Sequence, residues 1–113
     1  MSHEYRLVFS NDLTAQRIMD SLKASESCVR ADQGFLYLKD QNSKTEADYD
    51  ARLSHDDHST LWLEVNFKSL ALYDLVCAAL ENKPCKCLSD GDINEEVELS
   101  EAFQLGHLHI SRP

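Results

Sequence analysis

The sequence predicts an α+β domain, a two-layer sandwich in which two helices cover one face of an antiparallel sheet. Three observations predict it. Leu61, Leu63, Val65 and Phe67 alternate strictly with Trp62, Glu64, Asn66 and Lys68, the period of a half-buried strand. Ala15, Ile18, Met19 and Leu22 recur at helical spacing, and Leu72, Leu75, Val76, Ala79 and Leu80 fall on one face of a second helical stretch. The elements follow in the order strand, helix, strand, strand, helix, strand, the split β-α-β pattern of a ferredoxin-like (βαββαβ) sheet.

Each element has its own local reason. Tyr5, Leu7 and Phe9 share one side of a first strand over Tyr5–Ser10. Asn11-Asp12 offers a helix N-cap, and the helix runs to about Ala24. Gly34 introduces Phe35-Leu36-Tyr37-Leu38, read as a second strand from Val29 to Lys39. Lys39 to Thr60 is long and polar, so an extended hairpin or a functional loop is expected between the second and third strands. Ser69 caps the second helix, and Lys83-Pro84 stops it. Beyond Pro84 the expectation is an irregular or extra-strand segment. Cys85-Lys86-Cys87-Leu88 reads as a short strand and Ser89–Asp92 as a turn. Glu96–Leu99 reads as a strand or a helix start, and Leu108 and Ile110, alternating with His107 and His109, as a terminal strand.

A chain of 113 residues with 42% hydrophobic content, three Gly and two Pro fits one domain, 1–113, with a genuine core. Its formal net charge of −9 repels phosphate, which argues against nucleic acid as a direct ligand. Two segments carry the whole excess: Asp40–Asp57 with a balance of −4 and Glu81–Glu101 with −5. No apolar run approaches the ~18 residues of a membrane-spanning helix, and Met1–Arg6 lacks the basic and apolar stretches of a secretory signal. A cytoplasmic protein without a membrane partner is therefore expected. Free thiols at Cys28, Cys77, Cys85 and Cys87 fit a reducing compartment.

Several motifs resemble metal sites in part. His55-Asp56-Asp57-His58 and the pairs Cys85/Cys87 and His107/His109 hold ligand-type side chains, but each offers two or four groups without a fixed converging geometry. Asp90 to Glu101 has oxygen ligands at the calcium-loop positions, yet Glu95 stands where the sharp turn needs Gly. No metal and no cofactor are expected. Catalytic residues are likewise not assigned, since no Gly-x-Ser-x-Gly or Gly-rich phosphate cradle occurs.

The expected function is binding: an acidic module that docks a basic protein partner, as immunity-type inhibitors of nuclease toxins or mimics of nucleic-acid charge do. The residues expected to make electrostatic contact are Asp48, Asp50, Asp56, Asp57, Glu95, Glu96 and Glu98. Trp62 or Tyr49 would be the anchor, with Glu64 beside Trp62 on the outer side of its strand. A homodimer through the open sheet face is a further option. The alternative is a small enzyme or metal-binding sensor using His and Cys groups.

Overall fold

Alternating apolar residues build a sheet wider than the sequence pattern suggests. The computed structural model describes residues 3–42 and 46–105. Its strands are β1 (His3–Phe9), β2 (Cys28–Asp32), β3 (Phe35–Leu38), β4 (Ala51–Asp57), β5 (Thr60–Val65), β6 (Cys85–Ser89) and β7 (Glu96–Val97). Its helices are α1 (Asp12–Lys23), α2 (Leu70–Leu80) and the short α3 (Leu99–Ala102). The expected terminal strand at Leu108 and Ile110, with His107 and His109, lies outside the described residues.

The helix boundaries follow local chemistry. Asn11 caps α1 by accepting the Thr14 N–H at 2.9 Å, and Ser69 caps α2 by accepting the Leu72 N–H at 3.0 Å. Each such cap stabilises its helix by about 1 kcal/mol. Glu81 (φ 50°) and Asn82 (φ 66°) turn left-handed and end α2 just before Pro84. Among the described residues, no helix is long and apolar enough to cross a membrane.

The sheet is antiparallel as expected but wider than the four strands of a ferredoxin-like sheet. It has seven strands in the order β2-β3-β4-β5-β1-β6-β7, with every neighbouring pair antiparallel. The chain leaves β5 through α2 and returns as β6 on the far side of β1. It leaves β1 through α1 and returns at the sheet edge as β2, with three strands between the two. Two local causes explain the extra strands. The single strand expected over Val29–Lys39 is a hairpin, because Gln33 (φ 52°) and Gly34 (φ 85°) reverse the chain in a two-residue turn. The long polar stretch contributes β4, whose Ala51, Leu53 and His55 pair with Val65, Leu63 and Leu61 of β5.

One face of the sheet carries the core. Leu7, Leu38, Leu53, Leu61, Leu63 and Val65 are fully buried there against Ile18 and Leu22 of α1, Leu72 and Val76 of α2, and Phe103 after α3. Phe103 is the largest fully buried side chain, contributed by the C-terminal segment. Burying a side chain of this kind stabilises by about 1.5–3 kcal/mol.

Asp50, expected as a surface contact, is instead fully buried. Its carboxylate accepts the Asp40 N–H at 2.9 Å and pairs with Lys39 Nζ at 3.4 Å. Its own carbonyl accepts the N–H groups of Asn66 and Phe67. Asp40 in turn accepts the Ser69 hydroxyl at 2.6 Å. A polar relay thus ties the Lys39–Asp50 connection to the α2 N-terminus, and in that position Asp50 serves the fold.

Candidate functional site

Because successive side chains alternate across a strand, the residues between the core positions line the opposite, open face. The register places Arg6 of β1 beside Trp62 of β5, Trp62 beside Ser54 of β4, Glu64 beside Arg52, and Arg52 beside Tyr37 of β3. Arginines lie over aromatic rings along this face. Arg30 stands 4.1 Å from the Tyr37 ring centre, Arg52 4.5 Å from that of Phe35, and Arg6 5.7 Å from that of Trp62. Tyr37 and Tyr49 meet edge-on at 5.0 Å. Such cation–π contacts are worth about 0.5–1 kcal/mol where exposed.

Carboxylates complete the ladder. Arg52 donates from Nε to Glu64 Oε2 at 2.8 Å, and its terminal nitrogen stands equally close to the same oxygen. Arg6 Nε lies 2.8 Å from Asp56 Oδ2, but the N–H is not aimed at that oxygen, so the contact is an ion pair without a hydrogen bond. Trp62 donates its indole N–H to Glu4 Oε1 at 2.7 Å. The Arg30 guanidinium beside Tyr37 holds that phenol below its ordinary pKa, with Arg52 adding to the effect and burial opposing it.

The turn after β6 closes over the same cluster. Asp90 (φ 53°) and Gly91 (φ 77°) form a left-handed pair, and Asp90 N–H donates to Glu4 O at 2.9 Å. A Cβ at Gly91 would stand 3.2 Å from Trp62 Cζ3 and 3.5 Å from Arg6 Cζ. Glycine is needed here for both its positive φ and its lack of a side chain. Arg6 therefore pairs with Asp56 from one acidic segment and lies close enough to the Gly91 turn of the other that a side chain there would reach it.

The expected contact residues separate into groups. Asp56, Trp62 and Glu64 belong to the ladder, with both acids paired to arginine. Asp48 and Tyr49 line a hollow of about 290 Å³ with Val29, Arg30 and Tyr37 on the same side. Glu95, Glu96 and Glu98 are exposed beside or beyond the β6–β7 turn. Asp57 caps the β4–β5 turn: the Ser59 N–H and then the Thr60 hydroxyl, both on Oδ1, lower its pKa. Asp50 is the member that the fold withdraws. The sequence reading missed Arg6, Arg30, Arg52, Phe35 and Tyr37, since the hairpin at Gln33-Gly34 had to be found before their strands could be set side by side.

The ligand-type motifs are placed as well. Among the described residues, no three His, Cys, Asp or Glu side chains converge as a metal site. Burial first, and neighbouring anionic groups second, push the Cys85 and Cys87 thiols up to about 12, which suits packing rather than nucleophilic attack. The calcium-like stretch from Asp90 is divided among a turn, β7 and α3, with Asp92 Oδ1 accepting the Asn94 N–H at 2.9 Å. Compared with protein-family models, curated proteins and solved structures, the chain gives no match.

Proposed function

We propose that this chain is a docking module that engages a basic protein partner on the open face of its sheet, with Trp62 as anchor. The observation that carries this is the Arg6–Trp62 cluster, where Asp56 pairs with the guanidinium and the Asp90-Gly91 turn passes so near that a Cβ at Gly91 would meet both the guanidinium and the indole. The cluster is held in advance of binding. Trp62 is fastened by Glu4 and backed by Arg6, so little side-chain entropy is lost on contact. Around it, Asp56, Asp90, Asp92, Glu95 and Glu96 are exposed. A rim of that sign steers a Lys- or Arg-rich surface, such as that of a nuclease toxin or a nucleic-acid-binding protein, and repels phosphate. In the same reading, the four strands β4-β5-β1-β6 are the ferredoxin-like kernel, with the β2–β3 hairpin and β7 added at its edges.

The test is affinity capture on immobilised protein, washed at about 0.1 M and then about 1 M salt, with eluates identified by mass spectrometry. A basic protein that leaves only in the second wash, and is absent when Trp62→Ala is the bait, is the expected result. With that partner purified, Glu95→Lys combined with Glu96→Lys slows association at low salt by about tenfold or more. A partner retained equally by Trp62→Ala, or an association rate indifferent to both charge and salt, removes the open face from the function. Self-association through the same face would show as a concentration-dependent mass in sedimentation.

A further inference from the structure

We propose that the groove between α1 and the β2–β3 and β4–β5 turns is a second docking site, fitted to a short extended peptide in which basic and apolar residues alternate. It lies on the helix side of the sheet, away from the Trp62 face, since His55 on its wall continues the direction of Ala51 and Leu53. Two hollows of about 690 and 320 Å³ open side by side and share Gln16 and His55. Together they follow α1 from Asp12 to Lys23. At ~1.5 Å per helical residue this is about 18 Å, the reach of five or six extended residues.

The lining supplies both halves of the recognition. Leu13 stands 58% exposed beside the first hollow, off the buried stripe of α1, while Met19 and Leu36, themselves buried in the core, form the floor of the second. These give apolar contact. Charge then selects the occupant, because Asp12, Asp20, Asp32 and Asp57 line the two hollows against one lysine, Lys23, and two histidines, His55 and His58. The contacts that Ser59 and Thr60 make to Asp57 both fall on Oδ1, which leaves Oδ2 for an incoming donor. An extended peptide projects alternate side chains to opposite sides. Arginines at every second position can therefore meet the carboxylates while the residues between them cover Leu13 and Met19. A phosphate or carboxylate ligand would meet repulsion along the same walls.

The experiment uses a fluorescein-labelled heptapeptide alternating Arg and Leu, and a matched one with Glu for Arg, titrated against the full chain by anisotropy and by amide chemical shifts. The Arg peptide should bind saturably, with shifts confined to α1 and the two turns. Its affinity should fall about tenfold or more in Asp12→Lys combined with Asp20→Lys, and stay unchanged in Trp62→Ala. Leu13→Ser, a change at an exposed position, should weaken binding while leaving thermal unfolding as it was. Equal binding of the Glu peptide, shifts centred on the β6–β7 turn, or full affinity in either groove variant overturns the proposal. The Trp62→Ala arm keeps this outcome separate from the fate of the sheet-face site.

Discussion

The two acidic segments look alike as sequence and differ in how their charge is used. In Asp40–Asp57 four of the six carboxylates are built into the fold: Asp40 receives the Ser69 hydroxyl, Asp50 is buried with Lys39, Asp56 faces Arg6, and Asp57 holds its turn. In Glu81–Glu101, Asp90, Asp92, Glu95 and Glu96 stay exposed on and beside a turn whose shape comes from Asp90-Gly91. The difference teaches that a run of acids sets the sign of a region, whereas the backbone decides whether that charge is available. Asp56, near the end of a strand paired on both sides, meets Arg6 of β1 across β5, whereas the turn at the sheet edge holds its acids clear of such pairing.

The sharpest way to break this comparison is to neutralise one acid in each segment. Asp50→Ala leaves Lys39 beside a buried cavity and the Asp40 N–H without its acceptor. Its expected cost is about 3–5 kcal/mol, as for other buried pairs with one partner removed. Glu95→Gln, on the exposed turn, should stay within about 0.5 kcal/mol. Urea unfolding of both variants measures the contrast, and equal costs would dissolve it.

Alkaline pH gives a second, smaller contrast, centred on the strand that carries the exposed turn. Cys85 and Cys87 of β6 have thiols raised to about 12 chiefly by burial, and Tyr5, which pairs with Ser89, is raised for the same first reason. A raised folded pKa means that the stability is complete below the ordinary thiol value and is lost as pH climbs from about 9 toward 12. At pH 10 the loss is about 1.4 kcal/mol per thiol, since one pH unit is worth ~1.36 kcal/mol. The melting temperature should therefore fall from pH 8 to pH 10, and Cys87→Ala should flatten that fall. A flat profile in the parent protein would show that the β6 thiols are not buried as described.

How far these features were legible in the sequence depends on the range of the cause. Local causes were readable: Asn11 and Ser69 as caps, the alternation of Leu61, Leu63 and Val65, and the turn at Ser89–Asp92 all appear where expected. Non-local causes were not. Gln33-Gly34 lacks the Asn-Gly or Asp-Gly wording of a two-residue hairpin, so β2 and β3 merged into one strand and the sheet lost its outer pair. Asp50 could be recognised as buried only once Asp40, Lys39 and Ser69 were known to converge. In the candidate site, Trp62 and Glu64 were legible from strand period alone. The arginines facing them needed the strand order. Phe103 was missed because Glu98–Gln104 lacks the apolar periodicity that marks a long helix, although α3 buries it completely.

Gly91→Ala probes the exposed turn itself. Alanine at φ 77° carries a left-handed penalty of about 1–2 kcal/mol, and its Cβ would stand 3.2 Å from the Trp62 ring. The turn must open or the indole must shift. Trp62 is the single tryptophan, so a change in its emission reports the shift directly. This variant should alter the fluorescence more than Asp57→Ala does, because its new Cβ presses on the ring while Asp57 bonds Ser59 and Thr60.

The smallest expected effect bears most closely on function. Arg6–Asp56 and Arg52–Glu64 have the same 2.8 Å separation, but the first pair is 39% and 32% exposed at its side chains and the second 30% and 13%. Only the second has a hydrogen bond along its axis. Double-mutant cycles to alanine should give a coupling near zero to about 0.5 kcal/mol for Arg6–Asp56 and about 1 kcal/mol for Arg52–Glu64, with salt eroding the first more readily. If so, Asp56 can exchange Arg6 for an arginine of an incoming partner at almost no cost, whereas Glu64 cannot. A coupling at Arg6–Asp56 equal to that at Arg52–Glu64 would mean that the whole 40–57 segment is committed internally, leaving the β6–β7 turn as the one acidic segment that can meet a partner on this face.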